Sequence, residues 1–296
     1  MSQAATGWRV VLFCVIPEPP ALVEPLLREC GHRLVGIVTA PGPRSRRTDG
    51  YRAIAQLARP DLDVIVSNHP ERWAAMVAAL RPDLIVTASF NWIVPADVLA
   101  LPRLGAINIH DALLPHNRGP NATGWALRNG DPVHGFTVHY MTPRLDDGPI
   151  LAQGPVPLTD DDDGDTLFPR MIARLPALLR EALAHVAIGD PGTPQREEDA
   201  TEAPRFAEDW LYLDWRKPAR ELHLQARSWI GTRDGPRGAI GTIEGVRTRV
   251  LKTRLTDEPG TGASPGTVLR RDGEALTIQC GDRPLEILRH QPEPSG

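Results

Sequence analysis

The sequence predicts an α/β fold: a doubly wound, mainly parallel sheet followed by a small C-terminal β-barrel of oligonucleotide-binding (OB-like) type. Three observations point there. Continuous Val, Ile and Leu runs alternate with helical patterns up to residue 110, as strands buried on both faces of a parallel sheet do. A stretch rich in Pro, Gly and charge, 189–204, then breaks the apolar periodicity. Beyond it, short apolar runs are evenly spaced between Gly, Pro and Asp turns, the pattern of a small barrel. The 296 residues leave room for two domains, since domains usually span roughly 100–200 residues. The expected division is a catalytic domain over 1–190, a linker over 191–206 and a barrel over 207–296.

Taken in order, RVVLFCVI (9–16), LVGIVTA (34–40), LDVIV (62–66), DLIVTASF (83–90) and GAINIH (105–110) read as strands. Between them, ALVEPLLREC (21–30), YRAIAQLA (51–58) and PERWAAMVAAL (70–80) carry apolar residues at helical spacing. GFTVHYM (135–141) and GPILAQGPVPL (148–158) follow as strands. An acidic run then leads into a long helix ending at 187, capped by Asp165 or a neighbour whose carboxylate suits the positive end of the helix dipole. After the linker, 214–229 reads as a helix, and 240–245, 247–253, 266–271, 275–280 and 285–290 as strands.

Composition narrows the function. Hydrophobic residues at 41% and charged residues at 24% exclude a disordered or fibrous chain. No apolar run approaches the ~20 residues of a bilayer span, and the first twenty residues lack the basic start and cleavage site of a secretory leader. A cytoplasmic protein without a membrane partner is expected. Cys14, Cys30 and Cys280 are too scattered for a disulfide framework or a zinc pattern, and Cys14 reads as a buried core residue. The net charge of −4 argues against a protein devoted to long nucleic-acid backbones. Residues 205–296 hold 15 Lys and Arg against 13 Asp and Glu, a weak field for tRNA. The one basic cluster, RSRRTDGYR at 44–52, could grip either a tRNA stem or a pyrophosphate.

Two motifs are set aside. GASPG at 262–266 matches a nucleophile elbow around Ser264, but an elbow sits between a strand and a helix, and Pro265 suits a turn. His110, His116, His134 and His139 follow no metal-ligand spacing, so no metal is expected. The first strand also ends without GxGxxG, leaving a phosphate cradle there unsupported.

The chemistry concentrates at the carboxyl end of 105–110, where ligands bind in open sheets of this kind. Asn108 and His110 alternate on one strand and so project to the same side. An amide donor and an imidazole aimed at one carbonyl oxygen stabilise an oxyanion, and the imidazole can also carry a proton. Asp146 or Asp147, in a loop closed by Gly148, supplies a carboxylate that would favour the imidazolium.

These residues carry a resemblance. AINIHDALLPHNRGPNATGWALRNGDPVHGFTVHYMTPRLDDGPILAQ resembles the core signature of the folate-dependent formyltransferases: Asn-x-His, a Leu-Pro-x-x-Arg-Gly loop and a later Asp-x-Gly. The likeness runs upstream through RPDLIVTASFNWIVPADVLALPRLGAINIH and downstream into the C-terminal strands, which are similar to the barrel of the methionyl-tRNA and amino-sugar members. It implies Asn108, His110 and Asp146 as catalytic residues and 10-formyltetrahydrofolate as formyl donor. Donor contacts would fall on Phe90, Asn91, Trp92 and Ile93, on Ala112, Leu113, Leu114 and Pro115, and on Thr142, Arg144 and Leu145. It also implies that Asn108 and His110 stabilise the oxyanion, while Asp146 keeps His110 protonated and helps relay the amine proton. The family loop usually has Ser where this chain has Ala112, and CVIPEPPA matches neither the Gly-Thr-Pro turn of the tRNA enzymes nor the phosphate-gripping turn of the glycinamide ribonucleotide enzymes. The expected activity is N-formylation of a small amine, such as an amino sugar nucleotide or a specialised-metabolite intermediate. Methionyl-tRNA is the alternative acceptor, and formyltetrahydrofolate hydrolysis the alternative reaction. The sequence leaves the oligomeric state open.

Overall fold

A computed structural model describes residues 7–41, 50–230 and 237–293. Residues 44–49 of the basic cluster therefore lie outside the described residues. The elements run β1 (Arg9–Phe13), α1 (Glu18–Glu29), β2 (Arg33–Thr39), α2 (Gly50–Ala55), β3 (Asp63–Val66), α3 (Pro70–Ala79), β4 (Leu84–Ala88), α4 (Ala96–Leu99) and β5 (Ala106–His110). There follow α5 (Ala122–Asn129), β6 (Val133–Tyr140), β7 (Ile150–Pro157), α6 (Gly164–Ala187) and α7 (Ala219–Ser228). The chain closes with β8 (Ala239–Ile243), β9 (Val246–Leu255), β10 (Val268–Asp272), β11 (Ala275–Gln279) and β12 (Pro284–Pro292).

Packing divides the chain into two compact units, and the division falls at several places rather than at one linker. The first unit draws on the described residues of Met1–Gly119, on Gly135–Pro155 and on Met171–Glu202. The second draws on Pro120–His134, Val156–Arg170 and the described residues of Ala203–Gly296.

In the first unit the seven-stranded sheet has the order β3-β2-β1-β4-β5-β6-β7. β1, β2, β3, β4 and β5 pair in parallel, and β6 runs antiparallel to β5. Strand order reverses between β1 and β4, and sheets of this kind leave a crevice beside that point at the strands' carboxyl ends. The apolar runs are buried on both faces: Val11, Phe13, Val38 and Ile85 pack with Trp73 of α3 in one core. Each such burial contributes roughly 1.5–3 kcal/mol. Cys14 is fully buried just past β1, and burial pushes its thiol up to about 12, which leaves it unreactive. α1 carries Pro19 and Pro20 in its first turn, tolerated because first-turn N–H groups have no intrahelical partner.

In the second unit a five-stranded antiparallel sheet of order β10-β11-β12-β9-β8 forms the OB-like part, with Leu222 of α7 buried among Trp215, Trp229, Val250, Ile278 and Leu285. The helix α5 goes beyond the sequence reading. Its eight residues, ATGWALRN, bury Ala122, Ala126 and Leu127, and α5 packs against α7. The buried Arg227 of α7 donates Nε–H to the Leu127 carbonyl (3.1 Å) and Nη1–H to that of Thr159 (2.7 Å). His223 donates Nε2–H to the Asp160 carbonyl and its Nδ1 lies 2.8 Å from the Thr253 hydroxyl, and burial pushes His223 down to about 4. Of the acidic neighbours expected to cap α6, Asp163 does so: its Oδ1 accepts from the Thr166 N–H (3.1 Å), and Thr166 Oγ1 accepts in return from the Asp163 N–H (3.1 Å). Ser264 sits in a turn ahead of β10, where its carbonyl accepts from Thr267 N–H (3.1 Å).

Candidate active site

Thr87, Asn108 and His139 are cross-strand neighbours on β4, β5 and β6, so their side chains meet on one face. The Asn108 carboxamide is fixed from both ends. Its Oδ1 accepts from the Thr87 hydroxyl (2.6 Å), and its Nδ2 lies 3.2 Å from His139 Nε2. His139 Nδ1–H donates to the Tyr140 carbonyl (2.7 Å), which leaves Nε2 as the acceptor. Burial, partly offset by Asp146, pushes His139 down to about 4, so the ring stays neutral and keeps that role. A flipped amide would set its oxygen against the acceptor nitrogen of His139.

The remaining Asn108 hydrogen points toward Asp146 Oδ1 at 3.4 Å. Asp146 holds a left-handed backbone, φ +50°, a conformation Asp tolerates better than most residues. Its Oδ2 accepts the Gly119 N–H (2.9 Å) and lies 3.7 Å from His110 Nδ1. Asp147 turns away, its carboxylate held by the Thr142 hydroxyl and, at 3.0 Å, by the Arg144 guanidinium. Of the two aspartates, the structure therefore brings Asp146 to Asn108 and His110. His110 is buried, with Nε2 donating to the Asn117 carbonyl (3.1 Å). It contacts Asp146 from behind and is not part of the cleft wall.

That cleft, with Asn108, His139 and Asp146 at its base, has Phe90, Trp92 and Ile93 on one wall and Thr142, Arg144 and Leu145 on another. Ile93 and Leu145 are 61% and 52% exposed, an apolar mouth that a flat ring would cover. Trp92 packs edge-on against Trp73 with ring centroids 6.0 Å apart, so its position is set by the core. Asn91 does not line the cleft, yet its buried Oδ1 has no partner among the described residues.

Ala112, Leu113, Leu114 and Pro115 are not brought to the cleft. Ala112 is fully buried, and its carbonyl accepts from Thr137 Oγ1 (2.7 Å). The Leu114 N–H donates to Thr137 Oγ1 (3.1 Å) and its carbonyl accepts from Gln153 (2.8 Å), across a cis Leu114–Pro115 bond. These backbone groups are spent internally and shape the loop that carries Asn117 and Gly119.

Three contributors escaped sequence reasoning: Thr87, His139 and Gln195. Thr87 and His139 need strand register to be placed beside Asn108. Arg118 and Gln195 meet across 77 residues, with Gln195 inside the stretch read as a linker. That stretch is fastened to the first unit: Thr193 exchanges backbone hydrogen bonds with Ile150 (2.8 Å each way), and Thr201 accepts from the Asn117 and Arg118 N–H groups (2.8 Å each).

Comparison with known proteins bears on this cleft. Residues 36–183 match the family model described as formyl transferase, and 208–295 match that of the formyl transferase C-terminal domain. The methionyl-tRNA formyltransferase of Enterococcus faecalis is 36% identical over 292 residues, covering 94% of this chain and 90% of the relative. Among solved structures, HypX from Aquifex aeolicus in complex with tetrahydrofolic acid aligns with a TM-score of 0.68 at 20% identity, over 97% of this chain. The chain spans less than half of that protein, 44%. WlaRD, a sugar 3N-formyl transferase determined in the presence of dTDP and 5-N-formyl-THF, gives 0.67 at 14% identity over 98% of this chain and 99% of its own.

Proposed function

Since the chain belongs to the formyl transferase family, we propose that it transfers a formyl group from 10-formyltetrahydrofolate to the amino group of methionyl-tRNA. The observation that carries the acceptor is the 36% identity, sustained across nearly the whole chain, to a methionyl-tRNA formyltransferase. This reverses the preference for a small amine drawn from the sequence. That preference rests on a charge count and on CVIPEPPA departing from the Gly-Thr-Pro turn of the tRNA enzymes.

The cleft suits the donor. A pterin is flat, apolar on its faces and polar at its edge. Trp92, Ile93 and Leu145 offer apolar surface to the faces, and the Asn108 carboxamide and the Asp146 carboxylate at the base of the cleft offer polar groups beyond them. When bound, the donor supplies a formyl carbonyl open to attack by an amine. Asn108 donates Nδ2–H to the carbonyl oxygen as negative charge gathers there, giving up its long 3.4 Å contact with Asp146. Asp146 takes the proton shed by the attacking amine as the C–N bond forms, and His110 at 3.7 Å shares that proton. Asp146 then returns it to the nitrogen from which the formyl group departs. His110 thus works through the carboxylate rather than on the carbonyl.

The test is formyl transfer from the donor to initiator methionyl-tRNA, read by mass, beside a panel of amino sugar nucleotides and a control without any acceptor. Transfer to tRNA supports the proposal. Transfer confined to a sugar nucleotide would install the small-amine reading, and formate release without an amine the hydrolase.

A further inference from the structure

We propose that Gln195 is a positioning residue for formyl transfer, fastening the Asp146 loop in its active geometry. The inference rests on the formyl-transfer reading above.

One carboxamide makes four hydrogen bonds here. Gln195 Nε2 donates to the carbonyls of Asp146 (2.9 Å) and Gly148 (2.8 Å), and its Oε1 accepts from Arg118 Nε (3.1 Å) and Nη2 (2.9 Å). Donors and acceptors fit in one orientation only, since the flipped amide would set its oxygen on two carbonyls and its NH2 on a guanidinium. Arg118 is buried and anchored on its far side by Glu197 (3.1 and 3.2 Å). The charge on the guanidinium strengthens its bonds to Gln195.

The two loops joined in this way are the ones that build the site. Loop 115–119 carries the Asn117 carbonyl that receives His110 and the Gly119 N–H that holds Asp146 Oδ2. The other loop carries Asp146 itself in a left-handed conformation, tolerated by Asp yet costly enough to depend on the surrounding bonds. Gln195 holds the two carbonyls on either side of Asp147 and so sets the turn that aims Asp146 at Asn108 and away from solvent. Its side chain touches neither the cleft nor the reacting atoms. Its effect on the reaction passes through Asp146.

The experiment compares wild type with Gln195→Leu and Gln195→Glu, measuring kcat, donor KM, pH dependence and thermal midpoint, with a crystal structure of Gln195→Leu. For Gln195→Leu we expect kcat to fall ~10²-fold, as misplacement of a catalytic group by about 1 Å does, with donor KM within about twofold. In Gln195→Glu an ionised carboxylate faces two carbonyls. As the pH falls and that carboxyl takes up a proton, its O–H donates to one of them, so the ratio of variant to wild-type kcat rises toward acid. A merely structural glutamine would lower the thermal midpoint and leave this ratio flat. A flat ratio, or kcat within twofold of wild type in Gln195→Leu, overturns the proposal. Should Gln195→Leu not fold, the pH ratio of Gln195→Glu decides alone. Should wild type formylate no acceptor, the function reading fails, and the crystal structure still judges Gln195: an Asp146 carboxylate unmoved from His110 refutes the positioning role.

Discussion

Replacing Gly148 by alanine tests whether the Asp146 loop must lie where it does. A Cβ added at Gly148 would sit 1.8 Å from the Tyr140 carbonyl oxygen and 2.8 Å from its carbon. Carbon and oxygen that are not bonded keep about 3 Å or more between them, so the loop must retreat by roughly 1.2 Å, and both clashing groups are backbone. Asp146 lies two residues away, and its 2.9 Å bond to Gly119 and 3.7 Å approach to His110 have no slack of that size. A displacement of about 1 Å at a catalytic group costs ~10² in rate, and overpacking of this kind costs about 1–3 kcal/mol of stability. Gly148→Ala should therefore stay folded, melt several degrees lower, and lose about 100-fold in single-turnover formyl transfer. The donor KM should rise by far less than the rate falls, because Trp92 and Ile93 are untouched and only the Arg144–Leu145 wall moves with the loop. A variant that melts lower yet keeps its transfer rate within threefold would show that the position of Asp146 does not limit the chemistry, and would refute this reasoning.

Asn108→Ala removes the one amide donor at the base of the cleft and should lower kcat by ~10²–10³, read by formyl transfer at saturating donor. Trp92→Asp should abolish the rise in thermal midpoint that tetrahydrofolate produces by mass action, and an undiminished rise would assign Trp92 to packing alone. His223 titrates near 6.5 when unfolded and is pushed down to about 4 by burial, so the folded state gains from its neutral form above pH 6.5 and loses that gain as pH falls toward 4. At ~1.4 kcal/mol per unit, roughly 2–3 kcal/mol should go between pH 7 and pH 4.5. Urea melts at the two pH values should show His223→Gln losing that much less than wild type over the interval, and an equal loss would place the acid sensitivity elsewhere.

The sheet was legible because Val10, Val11 and Leu12, or Ile85 and Val86, stand in runs too apolar for anything but a strand covered on both faces. Asn108 and His110 were legible from the two-residue period of one strand. The distinction between Asp146 and Asp147 was not, because it depends on a left-handed residue at the loop's bend rather than on composition. His139 read as one histidine among four, and only the pairing of β5 with β6 reveals that it locks Asn108. Ala112–Pro115 belong to the motif but not to the cleft wall, since Thr137 and Gln153 consume their backbone groups. Gln195 and Thr201 were illegible for a different reason. Pro, Gly and charge describe a segment without regular structure, and a segment without regular structure can still be bonded residue by residue to its neighbours.

The interleaving of the second unit has a consequence for anyone who would shorten this protein. Ending the chain at residue 202 would remove Arg227 and His223 and leave the carbonyls of Leu127, Thr159 and Asp160 without the donors that now reach them. Each such group, if it stays away from water, costs about 1–3 kcal/mol. The exposed remainder would include Ala122, Ala126 and Leu127 of α5, apolar side chains now buried. A truncated protein of this kind would tend to precipitate, and its inactivity would say nothing about whether the C-terminal strands take part in catalysis. Point substitutions on the outer faces of β9 and β10, which leave Arg227 and His223 in place, would answer that question cleanly.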